Sequence, residues 1–177
     1  MKGIRSPPSW YALMAAIVSL LFLSSNMKGC LATDYISSCC ESTRYPTLCY
    51  NSLSPYASTI GENYTKLVMV ALEVALKATQ NTSALVTKWL QRDDLMANEI
   101  NAINDCVNEV GDAIDQLNQS LQQMNDLGGF DFEFKKSNLQ TWVSAALTND
   151  NTCMDGLDAF NGKLEKVSEA VLQLLRG

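Results

Sequence analysis

A heptad repeat of apolar residues between Met96 and Met124 constrains the fold more than any other feature of the sequence. An isolated helix cannot bury such a stripe in water, so the repeat requires partner helices of similar length. The spacing alternates between four and three residues and predicts one amphipathic helix of about eight turns. The apolar positions are Met96, Ile100, Ile103, Val107, Val110, Ile114, Leu117, Leu121 and Met124.

A second heptad run begins at Cys153 and continues to Leu174, and it predicts the last helix of the chain. Two further helices are predicted over about residues 63–90 and 137–147 from their apolar spacing. Asn149–Asn151 consists of residues that favour caps and turns, so the turn between the last two helices is predicted there. Four helices joined by short connections indicate an all-α, up-down four-helix bundle.

The segment before the bundle is punctuated by Pro46 and Pro55, each of which interrupts a helix and can open a new one. Short helices are therefore predicted near residues 34–43, 46–53 and 55–60, and they form an N-terminal helical hairpin over residues 33–61. The four-helix bundle is predicted over residues 62–177. Residues 33–177 together have the length of one domain with a single core.

The first 32 residues have the layout of a secretory signal peptide, because Lys2 and Arg5 precede a short apolar run from Tyr11 to Leu23. Cleavage is predicted after Ala32, and an uncleaved signal anchor is the alternative. Cleavage would remove three basic and no acidic residues, which shifts the net charge from −6 to −9. Such an acidic protein is a poor partner for nucleic acid or anionic membranes and a better one for a basic protein.

Export also changes how the cysteines are interpreted, because cysteines outside the cytosol are expected to pair. Five would remain after cleavage, at Cys39, Cys40, Cys49, Cys106 and Cys153. A Cys40–Cys49 bridge would close the helical hairpin, but Cys39 could bridge instead, and spacing alone does not choose between them. A Cys106–Cys153 bridge would join the two heptad helices.

Three sequons, at Asn63, Asn81 and Asn118, are further features that suit a secreted chain, and they are candidate glycosylation sites.

The sequence lacks the equipment of most enzymes. It contains no histidine, which removes the usual triads, the imidazole general base and most catalytic metal sites. Asp155 and Asp158 fit the first turns of a helix better than a catalytic pair. We therefore predict a non-enzymatic protein without a cofactor, a catalytic residue or a metal site, which acts by binding. Phe130, Phe132 and Phe134 are interpreted as a lid over one end of the bundle in preference to an exposed binding patch.

Two segments resemble the plant invertase and pectin methylesterase inhibitor family. The first is Cys40–Cys49 with Tyr45-Pro46 inside it, and the second runs from Trp142 to Gly156 and includes Thr152-Cys153-Met154-Asp155. Asn104-Asp105-Cys106 adds a third match. The resemblance implies disulfides Cys40–Cys49 and Cys106–Cys153, with Cys39 as the remaining thiol, and a helical hairpin attached to a four-helix bundle.

The family inhibits two kinds of enzyme. Its invertase inhibitors resemble one another in a Pro-Lys-Phe motif, whereas the corresponding region here, residues 132–136, has no proline. The resemblance thus implies a secreted inhibitor of pectin methylesterase in the apoplast and cell wall. It would be a monomer that covers the enzyme's active-site cleft in a one-to-one complex, with Thr152 among the contacts. The alternatives are an inhibitor of acid invertase and a secreted helical interaction module without inhibitory activity.

Overall fold

The computed structural model of this chain describes residues 35–158. Within that range every regular element is helical, and no helix combines the length and apolar character that a membrane span requires. The predicted all-α bundle is confirmed. Its helices are α1 (Tyr35–Glu41), α2 (Pro46–Leu53), a 3₁₀ turn (Ser54–Tyr56), α3 (Ala57–Ile60), α4 (Tyr64–Trp89), α5 (Ala97–Asn125) and α6 (Phe132–Asp158). The signal peptide predicted over residues 1–32 lies outside the described residues.

The three long helices α4, α5 and α6 run antiparallel to their neighbours. Cys106, early in α5, is bonded to Cys153, late in α6, and the side-chain amide of Asn149 donates to Gln116 Oε1 at 3.2 Å further along α5. The first half of α4 packs with the second half of α5 and the first half of α6 in one apolar cluster. This pattern is that of an up-down bundle.

Side chains at the start of two long helices explain why those helices begin where they do. Asn63 Oδ1 accepts the backbone N–H of Lys66 at 3.0 Å and caps α4. Glu99 reaches back from the first turn of α5, and its Oε2 accepts the N–H of Met96 at 2.8 Å. Each bond satisfies a donor that a helix N-terminus would otherwise leave unpaired.

Helix α6 corrects the predicted turn at Asn149–Asn151. The chain continues as one helix from Phe132 to Asp158, so Cys153 lies within the third long helix and does not begin a fourth. The cap-forming preference of asparagine and aspartate is a weak local effect, and tertiary packing overrides it. Buried residues continue along one face of α6 on both sides of the predicted turn, at Leu139, Val143, Ala146, Asp150, Cys153, Met154 and Leu157. The rest of the helix predicted over 153–174 lies outside the described residues.

The buried stripe of α5 is also displaced from the predicted heptad. Ile103, Val110, Leu117 and Met124 are buried as predicted, but Met96 is 59% exposed and Ile100 is 37% exposed. The stripe is rotated toward Cys106 because α5 packs against both α4 and α6, and the disulfide to α6 fixes which face turns inward. Its other buried members are Glu99, Cys106, Ala113 and Ser120.

The core consists of two apolar clusters stacked along the bundle. The first joins α1–α3 to the first half of α4 and reaches Ala113 and Ala146, and the second surrounds the Cys106–Cys153 disulfide. Between these clusters the buried residues are polar: Thr79 and Thr82 on α4, and Asp150 on α6. The bundle therefore has a polar layer near its middle.

The observed stripe predicts that truncation of two large apolar side chains of α5 changes the free energy of unfolding by unequal amounts. Leu117→Ala removes a fully buried side chain and should lower the free energy of unfolding by about 2–5 kcal/mol. Met96→Ala, the control, removes a mostly exposed member of the same heptad and should change stability by less than about 0.5 kcal/mol. Denaturant unfolding measures both, and equal losses would contradict the rotated stripe.

Candidate functional site

A groove between α5 and α6 is a concave surface that could receive a partner. Its volume is about 550 Å³, and it is open to solvent along one side of the pair. The residues that line it come from the first half of α5 and the last turns of α6: Asn98, Asn101, Ala102, Asp105, Cys106, Asn108, Glu109, Thr152, Cys153 and Gly156.

The disulfide Cys106–Cys153 forms part of the floor of this groove. Both half-cystines are buried, and the bond links the first third of α5 to the end of α6. Because this cross-link lies directly beneath the groove, it restrains the separation and sliding of the two helices at that level. The groove is therefore a preformed surface that needs little ordering when a partner binds.

Small side chains keep the groove open beside the disulfide. A Cβ atom built on Gly156 would meet no other heavy atom within 4 Å, so the space above this residue is free. Ala102 lies opposite on α5 with only a methyl group. A partner can consequently approach the two helix backbones closely at this point.

The groove carries negative charge and amide groups. Asp105 and Glu109 supply carboxylates, the asparagines at 98, 101 and 108 supply amides, and no lysine or arginine is among the lining residues. Carboxylates accept hydrogen bonds from guanidinium and ammonium groups, so this surface is complementary to a basic or polar protein surface.

Thr152 lies on the rim of the groove and is exposed. Its hydroxyl donates to the backbone carbonyl of Thr148 at 3.0 Å, which uses the hydroxyl hydrogen within the helix. The hydroxyl oxygen keeps the capacity to accept a hydrogen bond. That Thr152 contacts a partner remains a prediction.

The phenylalanines at the opposite end of the bundle do not form a lid, so that interpretation of the sequence is wrong. Phe130 is fully exposed, Phe134 is 67% exposed and Phe132 is 41% exposed. Two ion pairs of Lys135 hold the connection that carries these rings. Its Nζ contacts Asp126 Oδ2 at 2.9 Å and Asp131 Oδ1 at 3.1 Å. These ion pairs, together with Gly129 at a φ of 82°, turn the chain from α5 into α6 and direct the aromatic rings outward.

The second predicted disulfide, Cys40–Cys49, is also present and joins α1 to α2. Cys39 is outside both disulfides, as the resemblance implied, and the structure shows that it is buried. Burial raises the pKa of the nearby Tyr64 hydroxyl to about 12, and the Cys39 thiol adds a smaller contribution. The tyrosine is therefore neutral at any physiological pH.

The remaining predicted sites are on the surface. Asn63, Asn81 and Asn118 are all exposed, Asn63 as the cap of α4 and the other two on the outer faces of α4 and α5. Their glycosylation stays a prediction. Between residues 35 and 158 there is no group of three or more His, Cys, Asp or Glu side chains that could hold a metal ion.

Two features of the site were missed in the sequence. The carboxylates and amides of the groove occupy ordinary polar positions of the α5 heptad. Only their position, about one helical turn from Cys106 or from one another, could have indicated a shared surface. The burial of the Asp150 carboxyl was not predicted, because its neighbours Asn149 and Asn151 favour a turn, and turns are usually exposed.

Comparison with known proteins gives a consistent result. The model of the plant invertase/pectin methylesterase inhibitor family matches residues 34–175. The chain is 45% identical over 126 residues to Pectinesterase inhibitor 10 of Arabidopsis thaliana, a match that covers 70% of this chain and 40% of that protein. No solved structure gave a significant match.

Two other relatives are covered over most of their length. The 21 kDa protein of Daucus carota is 39% identical over 156 residues, covering 86% of this chain and 80% of the relative. Pectinesterase inhibitor 4 of Arabidopsis thaliana is 43% identical over 148 residues, covering 80% and 74%. The chain thus spans less than half of Pectinesterase inhibitor 10 and about three quarters or more of these two.

Removal of each disulfide should lower stability by a different amount. The double variant Cys106→Ser/Cys153→Ser opens a loop with a sequence separation of 47, for which the chain-entropy model gives about 4 kcal/mol. Cys40→Ser/Cys49→Ser opens a separation of 9 and should cost about 2.7 kcal/mol. Thermal unfolding under oxidising conditions measures both, and an unchanged Tm in the first variant would contradict the structural role of that bridge.

Proposed function

Because the chain belongs to the plant invertase/pectin methylesterase inhibitor family, we propose that it is a secreted inhibitor of pectin methylesterase. Two of the relatives described above carry the name pectinesterase inhibitor, and they are named as inhibitors of an enzyme, not as catalysts. The observation that supports the proposal is the preformed acidic groove with Thr152 on its rim, a concave surface on which a partner enzyme could dock.

The proposed mechanism is steric and needs no chemistry from the inhibitor. The α5–α6 face lies across the active-site cleft of the enzyme in a one-to-one complex, and the pectin chain can no longer enter. A rigid pair of helices suits this task, since a cross-linked surface loses little conformational freedom when it docks. The disulfide beneath the groove supplies that rigidity.

Charge is proposed to act mainly on the rate of association. The whole sequence carries a formal net charge of −6, and two carboxylates lie in the groove itself. A basic wall enzyme would be attracted over about one Debye length, roughly 8 Å at physiological ionic strength. Such steering raises the association rate constant more than it raises the final affinity.

Export to the apoplast completes the proposal. The signal peptide predicted over residues 1–32 would deliver the chain to the compartment that contains cell-wall pectin. Two disulfides in a chain of this size are typical of an oxidising environment. The chain is proposed to be a monomer until it meets its target.

The direct test is methanol release from pectin by a plant pectin methylesterase, with and without the purified protein, at mildly acidic pH. The rate should fall in proportion to the inhibitor added, up to an equimolar ratio. Sucrose hydrolysis by acid invertase is the parallel assay. Inhibition of invertase alone would replace the proposed target, and inhibition of neither enzyme across several isoforms would refute an inhibitory role.

Substitution of Thr152 tests where the contact lies. Thr152→Arg places a long cation on the rim of the groove and should weaken inhibition at least about tenfold, or roughly 1.4 kcal/mol. Thr141→Arg is the matched control, because Thr141 is also exposed on α6 and also donates to a carbonyl four residues earlier, at 2.9 Å, but does not line the groove. Equal inhibition by the two variants would place the contact elsewhere.

Neutralisation of the groove tests the electrostatic part. The double variant Asp105→Asn/Glu109→Gln should lower the association rate constant and reduce its dependence on salt, with a smaller effect on dissociation. Asp112→Asn/Asp158→Asn removes the same charge from exposed positions outside the groove and should have less effect. Surface plasmon resonance at several ionic strengths measures both, and identical rate constants for the two variants would contradict local steering.

A further inference from the structure

Asp150 is the one charged residue of the described chain that is both buried and unpaired. Its side chain has no exposed surface, and neither carboxyl oxygen has a hydrogen-bond partner. Glu99, the other buried acid, differs because its carboxylate accepts the N–H of Met96. A buried polar group without a partner is rare in folded proteins and needs a physical explanation.

The level of the bundle at which Asp150 lies supplies its carboxyl with no hydrogen bond. It lies in the polar layer between the two apolar clusters, at the level of Thr79 and Thr82 on α4. Those threonine hydroxyls already donate to the carbonyls of Ala75 and Ala78, at 3.0 and 3.1 Å. Their hydroxyl hydrogens are therefore not available to stabilise a carboxylate. Their oxygens can still accept a hydrogen bond.

The charged side chains at this level give no compensation. On α5, the residues that face this level lie between Cys106, which is bonded to Cys153, and Gln116, which accepts from Asn149. The charged side chains in that interval are Glu109, Asp112 and Asp115, and all have the same sign as an ionised Asp150. On α4, between Ala75 and Val86, the one charged residue is Lys77, which is exposed. The nearest charge on α6 is the exposed Asp155, and on α1–α3 it is the exposed Glu41.

Burial accordingly raises the pKa of Asp150 well above its ordinary value of 3.8. Well below pH 3.8 the group is protonated in the folded and the unfolded chain alike, and its ionisation costs the folded chain no stability. As the pH rises toward the raised pKa, the unfolded chain releases the proton while the folded chain retains it. Stability is lost across that interval, because ionisation favours the unfolded chain.

We propose that Asp150 is a pH-sensing residue that keeps the bundle tight in acidic media and loosens the end of α6 as the pH rises. On ionisation the carboxyl proton passes to solvent, and the remaining carboxylate can be hydrated only if α6 opens. Asp150 lies two residues before Thr152 and three before Cys153, so the opening would disturb the wall of the groove. The effect on inhibition rests on the proposed function, whereas the effect on stability does not.

Thermal and denaturant unfolding between about pH 4 and 8 test the effect on stability. Asp150→Asn keeps the shape of the side chain but cannot ionise, and Asp155→Asn is the control for an exposed acid on the same helix. The folding equilibrium constant of the wild type should fall relative to Asp150→Asn by up to about tenfold per pH unit. The Asp155→Asn control should follow the wild type.

Parallel pH profiles for the wild type and Asp150→Asn would overturn the proposal. If Asp150→Asn does not fold, Asp150→Leu takes its place, and amide hydrogen exchange of the wild type gives a result without any variant. Protection of the α6 amides, corrected for the intrinsic pH dependence of exchange, should decrease as the pH rises. Constant protection would also overturn the proposal.

Inhibition assays over the same pH range test the coupling, with each rate divided by that of the enzyme alone. Asp150→Asn should inhibit up to a higher pH than the wild type does. The same pH limit in both proteins, despite different stability profiles, would overturn the link between the sensor and the groove. Absence of inhibition in every protein, with the stability difference intact, would refute the proposed function and leave the sensor supported.

Discussion

The cross-linked contact between α5 and α6 is the interaction on which the rest of the structure depends. A heptad stripe specifies that two helices pack, but it tolerates sliding by a whole repeat, because equivalent positions recur every seven residues. In this chain both ends of the pair are fixed. A connection of residues 126–131, held by the ion pairs of Lys135, closes one end, and the Cys106–Cys153 disulfide closes the other. The hydrogen bond from Asn149 to Gln116 lies between them and matches the same register.

This fixed register explains how a pair of helices can present a specific surface. The groove exists because small residues and a disulfide meet at one level of two helices, and a shift of a single turn would separate Ala102 from Gly156. Its carboxylates lie on α5, so helical hydrogen bonds hold the backbone that carries them. A surface of this kind gains affinity by avoiding the loss of conformational freedom that a loop would incur on binding.

The helical class and the positions of most long helices could be predicted from the sequence, because apolar spacing reports directly on which faces must be buried. Two predictions failed for the same physical reason. The turn at Asn149–Asn151 and the inward direction of Met96 and Ile100 were judged from local preference, whereas the structure is decided by contacts with distant helices. The aromatic lid failed because ion pairs at Lys135, which periodicity does not reveal, direct that segment outward. Cysteine spacing did not decide whether Cys39 or Cys40 pairs with Cys49, and the choice came from the family resemblance.

The fixed register places the carboxyl of Asp150 in a buried polar layer of the bundle. An apolar residue of similar volume would fill the same space without an unsatisfied group, so stability alone does not account for a carboxyl there. The position is more tolerable while the group is neutral, because burial penalises the charged form of a carboxyl. An ionised one in the same place would lower the free energy of unfolding, because neither carboxylate oxygen has a hydrogen-bond partner there. A protein that works in an acidic compartment can carry such a group at low cost, and it then becomes sensitive to the pH of that compartment at the level where its binding surface is anchored.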